Sequence, residues 1–166
     1  MIDGKEVKLD MGSGMAHREG YITVDSDSKV GADVTVDIQA DIASASFFWP
    51  EMNRWIRDNT VDEIRAFHIL EHIKPENKCK VMQLFYDLLA PGGILHIEVP
   101  QFPHPASIQD PTHISFWCKD SFWYFTKGNK FGEGFVKHTS QPSPLFEFVE
   151  EEDKGWAFNI KLRKPE

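Results

Sequence analysis

The chain is poor in cysteine, in long apolar runs and in positive charge, and each shortage closes off a class of protein. Only Cys79 and Cys118 occur, far apart and without a C-x-x-C partner, so neither a zinc knuckle nor a disulfide framework can be read. Both are expected to be small, buried, apolar residues. The longest unbroken apolar run is Phe122 to Phe125, against the roughly 18 residues a membrane span needs, so no segment is expected to cross a bilayer. Met1 to Glu6 has no apolar stretch behind a basic one, hence no secretion signal, and a cytoplasmic location is the default expectation. Lys plus Arg number 18 against 26 Asp plus Glu, a formal charge of −8, and no segment gathers the cations into a patch. Such a field repels phosphate backbones, so a nucleic-acid partner is not expected.

What is present is ordinary for a globular protein: 166 residues, 41% hydrophobic and 27% charged, enough for one domain over residues 1–166. Strand and helix signals alternate through the first hundred residues. Val7, Leu9 and Met11 alternate with polar neighbours and run into Gly12-Ser13-Gly14, so a strand ends on a glycine loop. Tyr21 to Asp25 is a second β-rich run, Ala32 to Ile38 a third, and Glu63 to Phe67 a fourth, followed by a helical start at His68 to Ile73. A longer helix opens at Pro75, carries Val81, Met82, Phe85, Leu88 and Leu89 on one face, and stops at Ala90-Pro91-Gly92-Gly93. Ile94 to Val99 is a fifth strand. Leu145–Val149 and Trp156–Leu162, separated by Glu150 to Gly155, read as a β-hairpin, with the acidic cluster Glu150 to Asp153 as its solvated turn. The expected fold is α/β: a Rossmann-like, mostly parallel sheet with helices on both faces, an abbreviated first crossover, and an antiparallel hairpin at the end.

In open α/β sheets the ligand sits beyond the carboxyl ends of the strands, and three acids stand there: Asp10, Asp25 and Asp37. Glycines let the backbone approach a ligand closely, a carboxylate after the second strand can accept both hydroxyls of a ribose, and one after the third can take an exocyclic amine. Together these describe an adenosine site. A dinucleotide would need G-x-G-x-x-G leading into a helix, but His17 stands at the third glycine position. Only Met15 to Gly20 separates the glycine loop from the second strand, less than the ~10 to 12 residues of a whole crossover. No Gly-Lys-Ser or Gly-Lys-Thr occurs either. An adenosine ligand without phosphates remains, of which S-adenosylmethionine is the common one.

At this point the sequence resembles the class I S-adenosylmethionine-dependent methyltransferases, and within them the type 11 family. The resemblance rests on Lys8-Leu9-Asp10-Met11-Gly12-Ser13-Gly14, Gly20-Tyr21-Ile22-Thr23-Val24-Asp25 and Val36-Asp37-Ile38. It continues through Asp58 to Ile64, His68-Ile69-Leu70-Glu71-His72 and Leu88 to Leu95, and covers roughly residues 7 to 100. It implies that Asp10, Gly12, Ser13 and Gly14 form the loop at the methionine end, that Asp25 grips the ribose, and that Asp37 and Ile38 frame the adenine. Phe67 and His68 would lie near the sulfonium. It divides the domain into a cofactor-binding part (1–100), an acceptor-side cover (101–140) and the terminal hairpin (141–166). The implied activity is methyl transfer by direct displacement to a small-molecule acceptor.

Residues 101–140 should supply the acceptor side, and there Asp110 and His113 are the acid/base candidates, with His68 on the cofactor side. The Asn/Asp-Pro-Pro-Tyr or Phe motif of amino-methylating enzymes is absent after the fourth strand. His68-x-x-Glu71-His72 also spells an inverted zinc-peptidase motif, which belongs inside a long helix. Two alternatives stand beside methyl transfer without a metal: a cofactor-binding protein without turnover, and a metal-assisted transferase. The second follows from likeness to relatives of this fold, including small-RNA 2′-O-methyltransferases, and would use His68, Glu71, His72 and His113 as ligands.

Overall fold

Period-two alternation puts Leu9, Met11, Ile22, Val24, Ile64 and Ala66 on a common face of their strands, and all are buried. The computed structural model, which describes residues 6–39, 47–49, 54–128 and 130–166, assembles these runs into a seven-stranded sheet. Its first members are β1 (Lys8–Met11), β2 (Ile22–Asp25) and β3 (Val34–Thr35). β4 (Phe47–Trp49) and β5 (Arg54–Ile56) form a separate antiparallel pair. β6 (Val61–Phe67), β7 (Leu89–Pro100), β8 (Glu147–Asp153) and β9 (Ala157–Arg163) complete the main sheet. The order is β3-β2-β1-β6-β7-β9-β8; the pairs from β3 to β7 are parallel, and β9 runs antiparallel to both β7 and β8. This is the Rossmann-like, mostly parallel sheet with flanking helices and a terminal antiparallel hairpin. The order reverses between β1 and β6, which fixes where a ligand crevice opens.

The two faces of the sheet are covered unequally. On the apolar face, α1 (Lys78–Leu88) follows a 3-10 turn with Pro75 at its start and buries Val81, Met82, Leu84, Phe85 and Leu88. These join Trp117, Phe122 and Phe146 and the inward strand residues in one core. α2 (Lys130–His138) packs against the 3-10 segment Lys119–Phe125. The other face carries a row of polar residues in register, Thr23–Asp10–Arg65–His96–Lys161–Glu150, one from each strand between β2 and β8. Right-handed crossovers would carry β1→β2 and β2→β3 over this polar face, yet between those strands the only helical segment is the 3-10 turn Ser28–Val30. With no helix to bury against, the strands present charge there. Asp10, 1% exposed, accepts at Oδ1 from Arg65 Nη1 at 2.7 Å, and the guanidinium in turn lies 3.7 Å from the Phe67 ring centroid.

Three element boundaries differ from the sequence reading. The third strand is only Val34–Thr35, because Asp37 turns the chain by accepting from Gln39 N at 2.8 Å. Glu150 to Asp153 is not the hairpin turn but the second half of β8, paired with Lys161, Ile160, Asn159 and Phe158; the reversal falls at Lys154 to Trp156. The helix stops at Leu88, but Ala90 to Gly93 belong to β7 as a bulged beginning rather than to a loop. The β4–β5 pair and α2 were not expected; in α2, Phe131, Phe135 and Val136 hold a helical spacing, but Gly132 and Gly134 within a nine-residue run spoke against a helix. Among the described residues no helix is long and apolar enough to cross a membrane.

Candidate functional site

The glycine loop is built by the ends of β1 and β2. Gly12 N and Ser13 N both donate to Val24 O, at 2.8 and 3.2 Å. Gly12 has φ +71°, and a Cβ there would stand 2.9 Å from Ile69 Cβ, so glycine is required both for the backbone and for the close approach of the segment after β6. Gly14 N donates to Asp25 Oδ2 and Asp27 N to Asp25 Oδ1, each at 2.9 Å. Each carboxylate oxygen is thereby fixed by one amide and retains acceptor capacity.

A cleft of about 280 Å³ opens at the carboxyl ends of β1, β2, β3 and β6. Gly12, Asp25, Asp37, Ile38 and His68 line it, with apolar walls from Val36, Ile69 and Ile73. Polar groups set among apolar walls are what a nucleoside requires, and each Asp25 oxygen keeps a further acceptor site. The residues therefore fit the adenosyl group of the expected cofactor. Four residues expected here stand outside the lining, Gly14 among them, its amide spent on Asp25 Oδ2. Asp10 is enclosed by Arg65, with Arg18 Nε 3.9 Å from its other oxygen. Ser13 is buried in the loop, with its Oγ 3.4 Å from Gly14 O. Phe67 turns to the polar face, between Arg65 and the His96 ring. His72, Ser26 and Gln39 line the cleft and were not singled out as cofactor contacts.

His68 closes β6 with φ +53°, an uncommon conformation for a residue with a side chain. It is held there from both ends. Its amide donates to Glu98 O at 2.9 Å, Nε2 lies 2.9 Å from Glu98 Oε1, and Nδ1 lies 3.3 Å from Glu71 Oε1. The ring stacks on Trp156, centroids 5.7 Å apart and planes 6° from parallel. The hydrogen bond to Glu71, against the opposing effect of burial, raises its pKa, with Glu98 adding to the rise. Glu98 and Trp156 escaped the sequence reading, although an acid inside the apolar run Ile94–Val99 was a visible signal.

His113 does not line the cleft; it meets the cleft wall through an edge contact with His72, centroids 4.9 Å apart. Its Nε2 is 3.9 Å from Asp110 Oδ2. The segment that carries it is docked on the turn after β6: Ile114 N and Ser115 N donate to Glu71 O at 3.0 Å, and Trp117 Nε1 donates to Leu70 O at 3.0 Å. The segment carrying His113 and the cleft wall thus share one anchor.

No protein-family model matches the chain, and no curated protein matches it. Solved structures do. A SAM-dependent methyltransferase from Archaeoglobus fulgidus is similar with a TM-score of 0.62 at 17% identity, covering 97% of this chain and 87% of that one. A 1,6-didemethyltoxoflavin-N1-methyltransferase from Burkholderia thailandensis, solved with bound 1,6-didemethyltoxoflavin and S-adenosylhomocysteine, gives 0.55 at 14% identity, covering 98% and 73%. The N-methyltransferase NodS from Bradyrhizobium japonicum, in complex with S-adenosylhomocysteine, gives 0.54 at 12%, covering 97% and 79%. At these identities the likeness is one of fold: the chain has the fold of the SAM-dependent methyltransferases.

Proposed function

We propose that this chain is an S-adenosylmethionine-dependent methyltransferase, type 11-like, that acts on a small-molecule acceptor by direct displacement. The observation that carries this reading is the convergence of Gly12, Asp25, Asp37 and Ile38 on one cleft at the switch point of the sheet. The neighbours solved with S-adenosylhomocysteine support the same cofactor.

When bound, S-adenosylmethionine supplies an activated methyl group on a neutral leaving sulfur. The chain's own residues supply position and dryness. Asp25 accepts the ribose hydroxyls, Asp37 takes the adenine amine, and Ile38 packs on the ring. The Gly12 backbone leaves room for the methionine end. His68, fixed between Glu98 and Glu71 and backed by Trp156, orients the acceptor at the mouth of the cleft. Both of its ring nitrogens are already engaged, so it positions the acceptor by packing its ring and is neither a free base nor a free donor. Ile69 and Ile73 keep water from the reacting atoms.

Calorimetry with S-adenosylhomocysteine tests the reading. The wild type is expected to bind it and not NAD, and Asp25→Ala to bind about 10- to 150-fold more weakly, since hydrogen bonds to a charged group contribute about 1.5–3 kcal/mol. Unchanged affinity in that variant overturns the assignment of Asp25. Transfer of a labelled methyl to a panel of small amines, phenols and carboxylates tests the activity; binding without transfer to any of them supports the cofactor-binding alternative.

A further inference from the structure

One cluster at the edge of the cleft, a buried carboxylate with two half-buried histidines, has no role assigned in holding the adenosyl group. Glu71, 2% exposed, uses Oε1 toward His68, while its Oε2 is buried and has no hydrogen-bond partner. His113 Nδ1 is likewise buried and without a partner. Leaving such atoms unpaired is costly, and native structures rarely do so without a reason. The third member, His72, directs Nδ1 to Thr112 O at 3.1 Å, which leaves Nε2 free to act as an acceptor. The ligand atoms of Glu71, His72 and His113 all lie within 4.8 Å of one another. Small rotations of the two rings would bring them to the roughly 2.0–2.2 Å contacts that imidazole and carboxylate make with an ion.

We propose that Glu71, His72 and His113 form a binding site for a divalent transition ion that clasps the acceptor-side segment to the wall of the cleft. Part of the supporting layer is already in place. Metal-bound histidines commonly donate their other ring N–H to a carbonyl or carboxylate, which sets the tautomer. Here His72 has Thr112 O, while Asp110 Oδ2 stands 3.9 Å from His113 Nε2, too far for a hydrogen bond as the chain stands but close enough to form one on a small ring rotation; the other oxygen, Oδ1, accepts from Thr112 N and Oγ1 at 2.8 and 2.7 Å. Two imidazoles and one carboxylate favour zinc, iron, cobalt or nickel over calcium or magnesium. The four-residue ligand set expected from sequence loses one member, since the nitrogens of His68 are taken by Glu71 Oε1 and Glu98. An ion here ties residues 71–72 to residue 113, beside the backbone contacts from residues 114 and 115 to Glu71 O. The site is independent of the methyl-transfer reading, because ion binding is measured without cofactor or acceptor.

The probe is Zn²⁺, titrated into the full chain against a chromophoric chelator, with Co²⁺ absorption as a second readout. One equivalent per chain is expected, with a rise in melting temperature on binding. Glu71→Gln, His72→Gln and His113→Gln should each weaken Zn²⁺ binding by about 100-fold or more, and Asp110→Asn by about 10- to 100-fold. His68→Gln should keep affinity within about tenfold. The metal-free melting temperature of each variant reports whether it folds. If a buried ligand variant does not fold, Asp110→Asn, at the exposed side of the cluster, carries the test. Zn²⁺ affinity unchanged in Asp110→Asn and His113→Gln, binding only at exposed histidines, or an equal loss in His68→Gln overturns the assignment.

Discussion

Glu98 is 6% exposed near the end of β7, yet its two oxygens serve two basic side chains on different connecting segments. Oε2 accepts from Lys154 Nζ at 2.7 Å and Oε1 faces His68 at 2.9 Å. Burial alone would raise its pKa; the hydrogen bond and charge of Lys154, with those of His68, more than offset this and hold it below the ordinary value. A carboxyl depressed in the folded state binds fewer protons than it does in the unfolded chain. Its contribution is therefore present above the ordinary value of 4.5 and lost as the pH falls through the lower folded value. Glu98→Gln is expected to lower the melting temperature near neutrality and to flatten its fall below about pH 5. Melting curves across that range check this, and a parallel pair of curves for the two proteins would count against it. Of the site's residues, Asp25, Asp37 and Gly12 were legible because strand ends and glycines mark themselves in sequence. Glu98 and Trp156 were not, because Glu98 reaches His68 only through the parallel pairing of β6 with β7, and Trp156 only through the antiparallel docking of β9 on β7.

At the level of elements, the end of α1 and the last strand are joined by one side chain. Lys164, 8% exposed, donates from Nζ to Asn59 Oδ1, Tyr86 O and Leu89 O at 2.7, 2.7 and 2.8 Å. Burial lowers its pKa, but a cation at a helix C-terminus meets carbonyls left without intrahelical partners and the negative end of the dipole. Lys164→Met removes the donor and leaves those oxygens to find water. A loss of about 2–4 kcal/mol in chemical denaturation is expected, in line with several charge-assisted bonds broken at once. An unchanged midpoint would show that the carbonyls are satisfied otherwise. The periodicity of α1 was plain from Val81, Met82, Phe85 and Leu88; its link to residue 164 was not, since contacts 75 or more residues apart leave no local pattern.

The whole molecule has one apolar core on one side of its sheet and a charged lattice on the other, and this asymmetry explains why the hydrophobic pattern gave the strands of the parallel sheet but misjudged its edges. β3 is short because a two-residue edge suffices where the chain turns at Asp37. β8 is the opposite edge, and there the acids that looked like a turn form strand. An exposed edge with free amides and carbonyls is a template for another chain, and charge is one way of blunting it. Glu147, Glu150, Glu151, Glu152 and Asp153 all stand on β8, beside Phe148, which is 54% exposed. Replacing Glu150, Glu151 and Glu152 with Gln is expected to give concentration-dependent self-association in light scattering, whereas the parent chain stays dispersed at moderate salt. The run of carboxylates then acts as a gatekeeper of colloidal stability: acid or concentrated salt, which silences it, should convert an isolated edge into a seam along which copies of the sheet extend one another.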